Sequence, residues 1–309
     1  MDVHDFSEKS VLLTDVSPFV FGTTRLGDQN IPFDDRVEMA KAAVDTGIWF
    51  HTSRWYGNAL DVLNKAFDID RSKVPSMIVK LGGETIDEFK ADIKNNFEPM
   101  GVNSIDVGQL CLGGNLAIDF ANGGDCYAEL EKIKKNRTVK RFVLEVFPWT
   151  SHIALKALKG GYTKGLVDGV IFYLNPLQRF VSNELWELIT EQYEPIIALR
   201  TVAGGPVDRL SNEPGFAWKP YLQKRASQIL PIFEKSGVEN WTEFCMRFAH
   251  SFTQVRATVG ATSKAENFEQ FLLASESIEP LPDDIIEEIV QWHFRWSAEE
   301  DMKAEPWSM

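Results

Sequence analysis

The sequence holds only three cysteines, Cys111, Cys126 and Cys245. Their spacing fits no zinc site and their odd number fits no disulfide framework, so no metal is expected and a reducing, cytoplasmic setting is. No apolar run approaches the roughly 18 residues of a membrane span, so no membrane partner is expected. The opening MDVHDFSEKS is polar and acidic, unlike a secretory signal or an Arg-rich transit peptide. Basic residues are outnumbered, 32 against 45 acidic, which leaves a net charge of −13. That balance excludes a general nucleic-acid surface but permits a local basic pocket. No Gly-x-Gly-x-x-Gly follows the first apolar run, which disfavours an open dinucleotide-binding sheet. Linker-like, low-complexity and repeated segments are missing too, so residues 1–309 read as one domain.

What is present is a regular succession of short β-prone runs. They are Phe19–Gly22, Ile48–Phe50, Met77–Lys80, Ile105–Leu112, Arg141–Phe147, Gly169–Leu174, Ile196–Leu199 and Val255–Gly260. The first six begin about 30 residues apart, the size of one βα unit. Several are apolar on both faces, as buried parallel strands are. The stretches between them carry helical periodicity and cap signals: Asp34-Asp35 before an apolar stripe ending near Gly47, Thr85 with Gly101 beyond, Ser182, and Ser263. Eight strands alternating with helices over about 250 residues predict a (β/α)8 TIM barrel. The interval from Leu199 to Val255, roughly 55 residues, is too long for a simple connection and reads as a long loop over the mouth plus an extra helix, PYLQKRASQILPIFEKSG. A further C-terminal helix follows from Asp283.

In such a barrel, chemistry sits where the strands end. Strand 2 delivers His51 and Tyr56 from GIWFHTSRWYGNA, and strand 3 delivers Lys80. Strand 4 delivers Gln109 and Cys111, strand 5 Glu145, strand 6 Asn175 and strand 7 Arg200. A tyrosine and a lysine on neighbouring strands form a proton-donor pair, because the ammonium favours the phenolate and lowers the tyrosine pKa. Glu145 reads as a charged residue of a solvated mouth, with pairing to Lys80 as the alternative. Without a carboxylate partner, a buried Lys80 is expected to have a lowered pKa.

At these residues the sequence resembles the aldo/keto reductase family. GTTRLG at 22–27 is similar to the family's first-strand segment, GIWFHTSRWYGNA to its second-strand motif, MIVKLGG to the strand bearing its lysine, and GVNSIDVGQLCLGG to the strand ending in its histidine. FYLNPLQR, ALRTVAGG and VGATSKAENFEQF resemble three later blocks. The resemblance implies a barrel without a second domain and NAD(P)H bound in extended form across its mouth, with Lys264 favouring NADP. It implies reduction of an aldehyde or ketone substrate: a tyrosine protonates the carbonyl, the nicotinamide delivers hydride, a lysine lowers the tyrosine pKa, an aspartate pairs with the lysine, and a histidine orients the carbonyl.

Tyr56 and Lys80 match that pattern, so Tyr56 is the expected proton donor. The aspartate position falls on His51 and the histidine position on Cys111, whose thiol is a poor donor. The nicotinamide grip is altered as well: strand 5 reads Val143-Leu144-Glu145-Val146, the family glutamine aligns with Ile171, and the stacking aromatic aligns with Leu199. The phosphate end is better kept. Gly260, Thr262, Ser263 and Lys264 lie at a strand-to-helix junction suited to an anion, and Arg200, Gly204 and Gly205 approach the pyrophosphate position. Three functions stay open: an active reductase, a binding or scaffold protein of the same fold without turnover, and different chemistry at His51, Cys111 and Tyr56. Substrate identity and oligomeric state are not legible.

Overall fold

The computed structural model describes residues 12–192, 194–213, 219–276 and 278–299. The acidic opening segment, residues 214–218 of the long loop and the residues from 300 onward lie outside these. Eight strands form the centre: β1 (Phe19–Gly22), β2 (Trp49–Thr52), β3 (Met77–Gly83), β4 (Ile105–Leu112), β5 (Val139–Glu145), β6 (Val167–Asn175), β7 (Ile196–Leu199) and β8 (Val255–Ala261). Each pairs in parallel with the next, and β8 returns to β1 with Gly260 opposite Phe21, so the sheet closes on itself. This is the expected (β/α)8 barrel.

Alternation along the strands sets its two faces. Trp49, Ile78, Val107, Val143, Ile171, Ile197 and Ala257 point inward and form an apolar plug, with Leu13 and Val16 joining it. Phe21, Phe50, Val79, Phe142, Phe172 and Ala198 belong to the outer layer packed under the helices. Each of the larger side chains among these, the valines, isoleucines and phenylalanines, stabilises the fold by about 1.5–3 kcal/mol when fully buried. Dual burial is why the strands read as continuous apolar runs.

The helices are α1 (Phe33–Asp45), α2 (Ala59–Phe67), α3 (Ile86–Met100), α4 (Gly114–Ala121), α5 (Cys126–Lys135), α6 (Ser151–Lys159), α7 (Asn183–Glu191), α8 (Val207–Asn212), α9 (Pro220–Ser236), α10 (Trp241–His250), α11 (Ala265–Glu276) and α12 (Asp283–Glu299). The Thr85 side chain accepts from Glu88 N at the start of α3, which ends at Gly101 in the left-handed region. Ser182 caps α7 through Leu185 N. Two caps differ from expectation: α1 begins at Phe33 after Pro32, so Asp34 and Asp35 sit inside its first turn, where they favour the helix dipole without capping, and before α11 it is Thr262 Oγ1, not Ser263, that accepts from Lys264 N. Between β7 and β8, α8 and α9 make the expected excursion, and α10 is an addition to it. No helix among the described residues is long and apolar enough to cross a membrane.

One strand boundary matters for the site. The sequence suggests Arg141–Phe147, but β5 runs Val139–Glu145, in register with Ile105 of β4 at its start. Pro148, which has no N–H to donate, opens the turn that follows. Glu145 is therefore the last residue of the strand, two positions beyond the inward Val143.

Candidate active site at the barrel mouth

The same alternation, continued one step from the plug, brings His51, Lys80, Gln109, Glu145, Tyr173, Leu199 and Val259 inward at the C-terminal ends of seven strands. Most of the polar residues in this layer are tied in pairs that cross strands. His51 Nε2 lies 2.7 Å from Gln109 Oε1. Lys80 Nζ lies 2.9 Å from Glu145 Oε1, with side chains only 10% and 7% exposed. Glu145 Oε1 makes no well-directed hydrogen bond, so the pair is held by charge. Cys111, half-buried at the layer above, donates weakly to the Gln109 carbonyl at 3.6 Å.

Tyr56 comes from the loop after β2. Tyr56 N bonds to the Ser53 carbonyl at 3.1 Å, and Ala59 N to the Tyr56 carbonyl at 3.0 Å, which starts α2. The loop is anchored from β3 and α3. Arg54 pairs with the buried Asp92, whose other oxygen accepts from Gly82 N at 2.9 Å. The Tyr56 and His51 rings stand 6.1 Å apart, centre to centre. Trp55 is 46% exposed; its ring lies against Gly82, with Arg54 at 5.3 Å and Lys80 at 5.9 Å.

The electrostatics correct two expectations. Burial is the largest influence on Lys80 and lowers its pKa, but Glu145 and smaller contributions from Tyr56, Cys111 and Tyr173 together outweigh it, and Lys80 stays above the ordinary lysine range. Conversely, burial raises the Tyr56 pKa, and Lys80 opposes this without overcoming it. Burial also lowers His51 to about 4 against the bond to Gln109, so its imidazole is neutral. Glu145 is thus a buried partner of Lys80 and not a solvated mouth residue.

Two adjoining cavities open at this end. The narrower, ≈ 100 Å³, is lined by Gly22, His51, Tyr56, Tyr173, Leu199, Arg200, Thr201, Gly204, Val259 and Gly260. It shares Val202, Gly204 and Ala261 with a wider one of ≈ 370 Å³, lined also by Arg25, Gly205, Arg209, Thr262, Ser263, Lys264 and Asn267. Thr262 Oγ1 accepts from Lys264 N at 3.1 Å and shapes the turn into α11. Arg200 is engaged within the barrel: it donates to Gln178 Oε1 at 3.3 Å and to the Ala203 carbonyl, and lies over the Tyr173 ring at 5.8 Å.

All the residues singled out from the sequence therefore gather at one end of the barrel. Tyr56, Lys80, His51 and Cys111 form one cluster. Arg200, Gly204 and Gly260 line the cavity beside Tyr56, and Gly205, Thr262, Ser263 and Lys264 line its extension. Gln109, named from the sequence at the end of strand 4, is the partner of His51. Tyr173 is the residue that the sequence reading misses, and inward alternation from Ile171 is the signal that locates it.

No protein-family model and no curated protein matches the sequence. Solved structures do match by shape. An aldo-keto reductase from Bacillus halodurans in its holo form superposes with TM-score 0.68 at 18% identity, over 89% of this chain and 92% of that one. An aldo-keto reductase from Klebsiella pneumoniae in complex with NADPH gives 0.66 at 14% identity, over 90% and 92%. A thermostable aldo-keto reductase in complex with the inhibitor epalrestat gives 0.66 at 13% identity, over 89% and 95%. The fold is the aldo-keto reductase barrel.

Proposed function

We propose that this chain is an NAD(P)H-dependent oxidoreductase that reduces an aldehyde or ketone to the alcohol, with Tyr56 as proton donor. The observation that carries the reading is the position of Tyr56, which walls the narrower cavity while the Lys80 charge acts on its hydroxyl. Burial keeps the proton on Tyr56, so the phenol is in the form a donor needs, and Lys80 limits how far its acidity falls. His51, neutral and bonded to Gln109, adds no charge that would repel Lys80.

The two cavities suit an extended dinucleotide. Thr201 Oγ1 is buried, lines the narrower one, and has no hydrogen-bond partner among the described residues. Arg25, Arg209 and Lys264 give the wider one positive charge fit for phosphate, with NADP favoured through Lys264. A nicotinamide held between Leu199, Val259 and Gly260 would supply the hydride. Tyr56 gives its proton to the carbonyl oxygen, and Lys80 stabilises the phenolate left behind. The three cysteines are free, in keeping with the cytoplasmic setting we propose.

Nucleotide binding without turnover is the second reading. It draws on Leu199 and Ile171, apolar side chains where the family resemblance places the groups that grip nicotinamide. Titration of NADPH and NADH against tryptophan fluorescence, followed by turnover on a panel of aldehydes and ketones, separates the two. Binding with turnover that vanishes in Tyr56→Phe supports the reductase. Failure of both nucleotides to bind at millimolar concentration defeats it, and binding without turnover on any carbonyl moves support to the second reading.

A further inference from the structure

We propose that Glu145 is a positioning residue: its carboxylate, reaching across β4 from β5, keeps Lys80 a cation and holds it where it acts on Tyr56. Geometry carries the argument. Lys80 is enclosed at the end of β3, and an ammonium enclosed this way sheds its proton unless an anion meets it. The titratable groups that face it are Tyr56 from the β2 loop, His51 from β2, Cys111 from β4, Glu145 from β5 and Tyr173 from β6. At neutral pH two of these are phenols, one is a thiol and one is a neutral imidazole. Glu145 is the one anion among them, and its oxygen lies 2.9 Å from Nζ.

The neighbours leave Glu145 little else to do. Oε1 makes no directed hydrogen bond, His51 and Gln109 are bonded to each other, and the Cys111 thiol beside Glu145 carries no charge to balance it. A buried carboxylate is costly, and without Lys80 it would have no compensating charge. The two residues therefore justify each other's burial. The inference rests on the reductase reading only for what the lysine then does to Tyr56; the charge of Lys80 stands apart from it.

The test needs neither cofactor nor substrate. Protein carrying 13Cε-labelled lysine is titrated by NMR, with Lys80→Met assigning the resonance. In the unmutated chain, Lys80 is expected to remain charged through the range in which the exposed lysines still hold their protons. Glu145→Gln should lower its proton affinity at least about tenfold, one pH unit. The pair Glu145→Gln with His51→Asp, which supplies a carboxylate from β2 on the other flank of β3, should restore it. A Lys80 that is neutral at neutral pH in the unmutated chain overturns the proposal, and that titration is run on the unmutated chain, with Lys80→Met serving only to assign it. An unchanged titration in Glu145→Gln overturns it equally. If carbonyl turnover is found, Glu145→Gln should lower kcat more than it raises KM, and His51→Asp should recover part of the loss. A normal lysine titration with no turnover on any carbonyl would defeat the reductase reading alone.

Discussion

Gly27 and Gly57 touch backbone to backbone, and neither has room for a side chain. A Cβ on Gly27 would overlap the Tyr56 carbonyl, and one on Gly57 would overlap the Gly27 carbonyl. Gly57 also sits at φ +53°, a conformation that glycine adopts without strain. This contact clasps the loop carrying Tyr56 against the segment after β1. Gly27→Ala must push the loop outward. We expect a loss of at least about 1–3 kcal/mol in stability, as for overpacked interiors, and a larger proportional loss of turnover than of stability. Chemical denaturation and steady-state kinetics on the same preparation check both.

His51 makes the fold sensitive to acid. Its pKa falls through burial from 6.5 to about 4 in the folded chain, and His250 moves the same way for the same reason. Between those limits the unfolded chain binds protons that the folded chain does not. The stability they contribute is therefore complete above about pH 6.5 and is lost as pH falls toward 4. At about 1.4 kcal/mol per unit, His51 alone accounts for roughly 3 kcal/mol. Melting temperature should drop steeply across this window, and His51→Gln should flatten the slope. An equal slope in that variant would show that other groups carry the acid response.

Tyr56→Phe removes one hydroxyl and leaves the ring that walls the cavity. If it is the proton donor, reduction should slow by about 10²–10⁴-fold, the usual worth of a placed acid, while nucleotide affinity changes little. A variant that retains its rate would rule out the phenol as the source of the proton.

On the proposed reading, Lys264 bears on cofactor choice. Its ammonium is largely solvated and only loosely paired with Glu266 at 3.7 Å, so it is available to an anion in the wider cavity. Reversing its charge in Lys264→Glu should weaken NADPH by about tenfold or more and NADH much less. Parallel fluorescence titrations of the two nucleotides read the difference directly.

The barrel was legible because its signals are repeated: eight apolar runs at even spacing and helices with caps such as Thr85 and Ser182. Tyr56 and Lys80 were legible because they occupy strand ends in a motif. The state of Lys80 was not, since its partner lies two strands and more than sixty residues away, and nothing local to Met77–Lys80 shows it. Glu145 reads as a solvated mouth residue from its charge and strand-end position, with pairing to Lys80 only as the alternative, because neither feature shows which side chain meets it across the ring. The opposition between burial and Lys80 at Tyr56 also escapes the sequence, which names the charge but not the depth. Tyr173 could have been found by counting twos along β6 from the inward Ile171.

A lysine that takes its counterion from two staves away says something about closed sheets in general. Alternate staves contribute sockets at the same height around the ring, and a long side chain spans the gap between sockets. An acid lost from one can be refitted in another without disturbing the frame. Drift can therefore empty the socket where a charge is customarily sought while the charge itself persists, and comparison by column alone will overlook barrels that still hold it.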